Sequence, residues 1–138
     1  MTRIAIAYLA TLVAFCAIDY VWLGFVAKGY YRSQVGTLLL DSPNWLAAAA
    51  FYLTYVAGVL VFALLPALDR DDWHRALTTG ALFGFFAYAT YDLTNLATLK
   101  HWTWSIALLD LVWGAVLTAV SAAIGFFVTS ATAGVRWH

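Results

Sequence analysis

Residues 45–68 read WLAAAAFYLTYVAGVLVFALLPAL and contain no charged side chain. As an α-helix, about 24 residues are roughly 36 Å long, which exceeds the roughly 30 Å thickness of the hydrocarbon core of a bilayer. In lipid, a helix also satisfies its backbone hydrogen bonds within itself. This stretch therefore predicts a membrane-spanning helix, and it decides the fold class of the chain.

The composition of the whole chain agrees with this stretch. Of its 138 residues, 64% are hydrophobic and 10% are charged, whereas a soluble domain averages about 45–50% apolar and about 25% charged residues. Seven basic residues balance seven acidic ones, so the chain offers no clustered basic face to a nucleic acid. We predict one transmembrane domain, residues 1–138, with the lipid bilayer as its partner.

Three further stretches are long and apolar enough to cross a membrane, which gives four spans at residues 4–27, 45–68, 76–99 and 105–128. The connections after the second and third spans are short, and short connections make neighbouring helices antiparallel. The fold class that follows is all-α: a polytopic membrane protein with a four-helix transmembrane bundle.

The connection between the first two spans is long enough to hold an element of its own. Within residues 28–39, Tyr31, Val35 and Leu38 recur at helical spacing, opposite Lys28 and Arg32. An apolar stripe opposite basic residues is typical of a helix that lies in the membrane interface. We predict a short interfacial helix between spans 1 and 2.

Residues at the span ends predict the orientation. With four spans, both termini share one membrane side with the 69–75 loop, and that side carries four basic residues against three on the other. The positive-inside rule then places both termini in the cytoplasm. Five tryptophans near span ends are expected to anchor the bundle at the interfaces: Trp45, Trp73, Trp102, Trp104 and Trp137.

Small residues mark two helix faces. Gly80 and Gly84 are four residues apart in the third span, and residues 47–50 of the second span are all Ala. Small residues at this spacing let helix backbones approach closely in a membrane. We predict that both faces pack against other helices and take no part in chemistry.

Three acidic residues lie inside the predicted spans, each on a different helix: Asp19, Asp92 and Asp110. At 1.5 Å per residue, all three lie roughly 11–14 Å from the membrane face opposite the termini. Acids within membrane spans usually face the bundle interior or a wet cavity. We therefore expect the three carboxyl groups to converge.

Polar and aromatic side chains accompany these acids. Each acid has a hydrogen-bond donor three residues later, on the same helix face, and the second and third spans add four tyrosines at a similar depth. The candidate ligand-binding layer consists of Asp19, Trp22, Tyr52, Tyr55, Tyr88, Tyr91, Asp92, Asn95, Asp110 and Trp113.

The predicted spans contain no Lys, Arg or His that could neutralise the acids. A charged Asp at the centre of a span costs roughly 2.5–3.5 kcal/mol on insertion scales, so three bare anions are not expected. Either one or more of them is protonated, or an external cation lies among them. The sequence therefore predicts a layer that binds a proton, a small cation or a cationic ligand for transport, with no resident cofactor.

Two other functions stay open at this point. An integral membrane enzyme that acts on a lipid or another apolar substrate would use two carboxyl groups as acid and base. A structural partner of a membrane complex would use the acids only as hydrogen-bond acceptors between helices, at about 0.6–2 kcal/mol per bond. Because four helices enclose little volume, transport also favours a homodimer.

Four stretches of the chain resemble a known family: residues 88–99 (YATYDLTNLATL), Phe51-Tyr52, residues 19–24 (DYVWLG) and residues 110–114 (DLVWG). They are similar to a bacterial family of small predicted inner-membrane proteins that is catalogued as a domain of unknown function. The resemblance covers nearly the whole chain, and the Tyr-Asp-Leu-Thr-Asn run at residues 91–95 is its most specific part. It implies a bacterial cytoplasmic membrane and supplies no activity.

Overall fold

The computed structural model describes residues 2–26, 29–30, 33 and 44–133. These residues form helices and turns with no strand among them, which confirms the all-α prediction. A π-helical turn, Trp22–Val26, extends the first helix, and a second one, Leu60–Leu64, joins α2 to α3 in one rod. The helices are α1 (Thr2–Val21), α2 (Trp45–Val59), α3 (Leu65–Asp69), α4 (Trp73–Thr98) and α5 (Trp104–Ala133).

Polar side chains cap the starts of the helices, where backbone N–H groups have no partner within the helix. Asp72 Oδ1 accepts from the N–H of His74 at 3.1 Å. Thr103 Oγ1 accepts from the N–H of Ile106 at 3.1 Å, and Asn44 caps α2 in the same way. The helices thus begin within three residues of the predicted spans. Of the predicted interfacial helix at 28–39, only residues 29–30 and 33 are described, so it stays a prediction.

The helical rods alternate in direction. At the beginning of α1, Arg3 Nη2 lies 2.7 Å from Oδ1 of Asp69, at the end of α3. Near the other end of α1, Asp19 contacts Tyr52, which lies in the first third of the rod that α2 and α3 form. The rods α4 and α5 are joined by a short turn and form the most extensive helix pair. The chain therefore runs up and down through the bundle, as the short connections predict.

The glycine pair of α4 determines how closely α4 approaches α5. A Cβ atom at Gly84 would collide with the carbonyl oxygen of Gly114, and one at Gly80 would lie 3.0 Å from the carbonyl oxygen of Thr118. The prediction that this face packs closely is confirmed. The alanine face at residues 47–50 behaves differently, because three of its four residues are exposed in the structure. The helices of the described residues leave this face largely uncovered, so its packing stays a prediction.

Within residues 2–26 and 44–133, three helical segments are both long and apolar enough to cross a membrane: Thr2–Phe25, Trp45–Asp69 and Trp104–Thr132. The rod α4 is equally long, with 26 residues, but it is less apolar and does not join this group. At two helix starts, Trp45 and Trp104 are exposed, as interfacial anchors are. The chain is thus an all-α protein with several helices suited to a bilayer.

Candidate functional site

All three acids of the predicted layer are buried. Asp92 is fully buried, and Asp19 and Asp110 are 6% and 7% exposed, so the expectation that these acids face the bundle interior is confirmed. They lie close to one depth, because Trp113 binds Asp19 and is only three residues, or roughly 4.5 Å along the helix axis, from Asp110. Their surroundings nevertheless divide them into two groups.

Each carboxyl oxygen of Asp19 accepts one hydrogen bond from a side chain of another helix. Its Oδ2 accepts from the hydroxyl of Tyr52 at 2.6 Å, and its Oδ1 accepts from the indole N–H of Trp113 at 3.2 Å. The two donors belong to α2 and α5, so this carboxyl group ties three helices together. The pairing of Trp113 with Asp110 on one helix, which the sequence spacing predicts, is wrong, since the indole crosses to α1.

Trp22 does not bind Asp19 either. Its ring stacks on that of Trp113, with the centroids 4.3 Å apart and the planes 12° from parallel. Its indole nitrogen is buried and has no hydrogen-bond partner among the described residues. The π-helical turn starts at Trp22, and such turns change the direction of side chains along a helix. Trp22 therefore supports the orientation of Trp113, and through it the bond to Asp19.

Asp92 and Asp110 face each other between α4 and α5. The carboxyl group of Asp92 interacts with that of Asp110 and lies beside the indole N–H of Trp102. Among the described residues, however, neither oxygen of Asp92 makes a hydrogen bond of good geometry, and neither does the Trp102 nitrogen. Two acids thus share a buried interface in which the charged neighbour of Asp92 is a second carboxyl group.

Asn95 and Tyr91 lie beside this pair but do not complete it. The amide of Asn95 interacts with the side chain of Tyr91 and makes no hydrogen bond to Asp92, contrary to the pairing that the sequence spacing predicts. Tyr91 is half-exposed, and its ring packs edge-on against Trp102 with the centroids 5.8 Å apart. Tyr91 thus lies near both acids and contacts Trp102 and Asn95.

The remaining two tyrosines of the predicted layer have different positions. Tyr88 packs against the backbone of Gly114 and has both Asp19 and Asp110 as charged neighbours, so it lies between the two acid groups. Tyr55 lies deeper in the bundle, where its hydroxyl is 2.8 Å from Oγ1 of Thr118. The structure therefore separates Tyr55 from the acids.

Sequence reasoning missed one residue of this site. Trp102 is a predicted interfacial anchor, yet its indole nitrogen is buried next to Asp92. It lies ten residues after Asp92, beyond a turn in which His101 has a positive φ of 66°, and this turn folds it back against α4. The sequence alone does not distinguish a tryptophan that folds back from one that remains at the interface.

The donors present limit the ligands that the site suits. Among residues 2–26, 29–30, 33 and 44–133, no group of three or more His, Cys, Asp or Glu side chains could hold a metal ion. A calcium ion takes about six to eight oxygen ligands, more than one carboxyl pair supplies. The arrangement suits a proton, or a cation that two carboxyl groups and aromatic rings can hold.

The comparisons with known proteins identify a family and no closer relative. The family described as "Predicted membrane protein (DUF2177)" matches residues 4–127, a range that contains every residue of the site above. No curated protein and no solved structure matches the chain.

Proposed function

The chain belongs to the DUF2177 family of predicted membrane proteins, and we propose that it transports a proton or a small cation through its buried carboxyl layer. One observation supports this proposal above all others. Asp92 is fully buried beside Asp110, and neither of its oxygens accepts a hydrogen bond from the described residues.

Two adjacent buried carboxylates repel each other strongly in a medium of low dielectric constant. The predicted spans supply no basic side chain to offset that repulsion. A proton held between the two groups, or a cation beside them, removes it. An acid that served only to join helices would instead resemble Asp19, with a donor for each oxygen.

We also propose that α4 is a membrane span, which makes four in total. It lies along nearly the whole of α5: Trp73 packs on Phe127 at one end, 5.7 Å between ring centroids, and Tyr91 packs on Trp102 at the other. If α5 crosses the bilayer, α4 crosses with it.

For the orientation we keep the proposal that both termini face the cytoplasm of a bacterial cell, with the protein in its inner membrane. The two sides differ by one basic residue. A reporter that fluoresces only in the cytoplasm, fused to either terminus, tests this arrangement. A homodimer is likewise a proposal, and light scattering of the protein in detergent measures its mass.

The test of transport uses the purified protein in lipid vesicles that contain a pH-sensitive dye. A membrane potential is imposed, and acidification is followed for the parent protein, for Asp92→Asn and for Asp69→Asn. Asp69 is the matched control, because it is the same residue type with an exposed side chain at the end of α3. We expect the parent and Asp69→Asn to carry flux and Asp92→Asn to lose it. Repeating the assay with dyes that respond to sodium or potassium in place of the pH-sensitive dye distinguishes small cations from protons.

Thermal unfolding in detergent gives a second measurement on the same three proteins. If a proton or cation stabilises the carboxyl pair, the unfolding temperature of the parent changes with pH or with the cation. Asp92→Asn should unfold at the same temperature or higher, and this dependence should be reduced. Equal flux through parent and Asp92→Asn, or no flux above empty vesicles for the parent, would exclude the proposal.

A further inference from the structure

A file of buried hydroxyl groups continues from the carboxyl layer towards the side of the bundle that carries the N-terminus. Thr118, Ser121 and Thr129 lie on α5, and Thr11 lies on α1; all four are fully buried. Counted from Asp110, the three α5 residues lie roughly 12, 17 and 29 Å along the helix axis. The file thus covers most of the roughly 30 Å of a hydrocarbon core.

Thr11 fills the gap in this file. The α5 residue at the level between Ser121 and Thr129 is Gly125, and a Cβ atom there would collide with Oγ1 of Thr11. The glycine therefore admits a hydroxyl group from α1 where α5 has none. From Thr118 onward, successive hydroxyls are then about one helical turn apart, a distance that a single water molecule bridges.

The longer step from Asp110 to Thr118 contains two phenol groups. Tyr88 lies near Asp110, and its ring packs on that of Tyr55 with the centroids 6.1 Å apart. The Tyr55 hydroxyl in turn reaches Thr118.

Two of these hydroxyls have no hydrogen-bond partner among the described residues, namely those of Thr11 and Ser121. Thr118 Oγ1 lies 2.8 Å from the hydroxyl of Tyr55, and Thr129 donates to the carbonyl of Gly125 at 2.6 Å. A buried hydroxyl without a partner is costly, and ordered water is its usual partner when the chain provides none.

The threonines on the outside of α4 show the ordinary alternative. Thr90 donates to the carbonyl of Phe86 at 2.8 Å, and Thr98 donates to that of Thr94 at 2.8 Å. A threonine in a membrane helix can thus satisfy its hydroxyl within its own helix. Thr11 and Ser121 do not do so, which leaves their hydroxyls available to water inside the bundle.

We infer that this hydroxyl file is a water-bridged path for protons between the Asp92–Asp110 pair and the N-terminal side of the membrane. The inference rests on the proposed transport function and narrows its ligand to the proton. A hydroxyl accepts a proton on an oxygen lone pair and releases its own hydrogen to the next water, so one proton moves and no bond is oxidised or reduced. A metal cation would instead need several oxygen ligands at each position, whereas each level of this file offers one hydroxyl group.

The test compares Thr11→Val, Thr11→Ser and Ser121→Ala in the vesicle assay. Valine has the shape of threonine without the hydroxyl, serine keeps the hydroxyl, and alanine fits wherever serine does. We expect Thr11→Val and Ser121→Ala to slow proton flux by about tenfold, as a barrier higher by about 1.4 kcal/mol would. Thr11→Ser should keep the flux. The matched control is Thr90→Val, which removes a satisfied hydroxyl from the outside of α4 and should have no effect.

The outcomes separate this inference from the proposed function. Unchanged flux in both Thr11→Val and Ser121→Ala, with flux lost in Asp92→Asn, would exclude the hydroxyl file as the proton path. The proposed role of the carboxyl pair in transport would still be supported. Loss of flux in Thr11→Ser as well would show that packing at Gly125 matters and the hydroxyl does not. A parent protein without flux would exclude both proposals. The pH dependence of the unfolding temperature, which reports on the carboxyl pair, should be unchanged in all four variants.

Discussion

Asp19 and Asp92 are the same residue type, buried to nearly the same extent and at similar depth, yet the bundle treats them differently. Asp19 receives a hydroxyl and an indole N–H from two other helices. Asp92 receives no hydrogen bond from the described residues and faces another acid. The hydrogen bonds of Asp19 account for its presence in an apolar interior, whereas packing alone does not account for Asp92. Burial of an acid is therefore weak evidence of function, and the lack of donors is stronger evidence.

The largest loss of stability should come from a substitution that separates α4 from α5, because these helices carry Asp92 and Asp110. Gly84→Ala places a Cβ atom against the carbonyl of Gly114, a backbone atom that cannot move alone. Overpacking of this kind costs about 1–3 kcal/mol, and we expect the upper end in unfolding measurements in detergent. The Asp92–Asp110 pair should be disturbed and flux reduced. The hydrogen bonds of Asp19 involve no residue of α4 and should persist.

Gly24→Ala is the matched control for that variant. A Cβ atom at Gly24 meets nothing within 4 Å, so the same substitution should leave the stability unchanged or raise it by up to about 1 kcal/mol through helix propensity. Equal destabilisation by the two variants would mean that the close approach of α4 to α5 is not what positions the pair.

The next largest change in stability should appear when Asp is replaced by Asn in two separate variants, one at Asp19 and one at Asp92. Asp19→Asn replaces one accepting oxygen by an amide group that meets the Trp113 or Tyr52 donor. Hydrogen bonds to a charged group contribute about 1.5–3 kcal/mol, so we expect a loss of about 2 kcal/mol in the free energy of unfolding. Asp92→Asn loses no hydrogen bond of good geometry among the described residues and removes repulsion from Asp110, so its stability should equal or exceed that of the parent. A larger loss at Asp92 than at Asp19 would reverse the assignment of roles.

The sequence predicts the helices and the burial of the three acids well, for a physical reason. Apolar stretches such as residues 45–68 can satisfy their backbones in lipid only as helices, and acids within them are driven to the interior. The small residues give a mixed result. Gly80 and Gly84 pack as predicted, because α5 presents its own Gly114 opposite them, whereas the helices of the described residues leave residues 47–50 largely uncovered.

The hydrogen bonds within the site are less predictable. Spacing along one helix pairs Asp110 with Trp113 and Asp92 with Asn95, but a side chain as long as tryptophan reaches a neighbouring helix. Which neighbour it reaches depends on the rotation of each helix about its own axis. The π-helical turn at Trp22–Val26 changes that rotation locally, and no feature of the sequence marks it. The same limit applies to Trp102, whose place depends on the turn before α5.

A smaller effect should come from removing one donor of Asp19 at a time. Tyr52→Phe deletes the hydroxyl that donates to Oδ2 and keeps the ring, so the free energy of unfolding should fall by about 1 kcal/mol. Tyr20→Phe is the matched control, because Tyr20 lies on the same membrane half of the bundle and is largely exposed, and it should change little. If Tyr52→Phe were neutral, the bond to Asp19 would be replaceable by another donor, and the structural role of Asp19 would be weaker than its geometry indicates.

The smallest effect should come from Asp69, a carboxylate outside the hydrocarbon core. It pairs with Arg3 at 2.7 Å, and its side chain is 66% exposed. Exposed ion pairs contribute about 0.2–1 kcal/mol, because water screens the attraction and two side chains lose freedom. Asp69→Asn should therefore cost less than Asp19→Asn, and its cost should shrink when unfolding is measured in about 1 M salt, where the Debye length is about 3 Å. The cost of Asp19→Asn should be the same in both salt concentrations, because its partners are inside the bundle. Similar salt dependence for both variants would mean that water reaches Asp19. The hydrogen bonds that Asp19 accepts and Asp92 lacks would then no longer explain why these two buried acids differ.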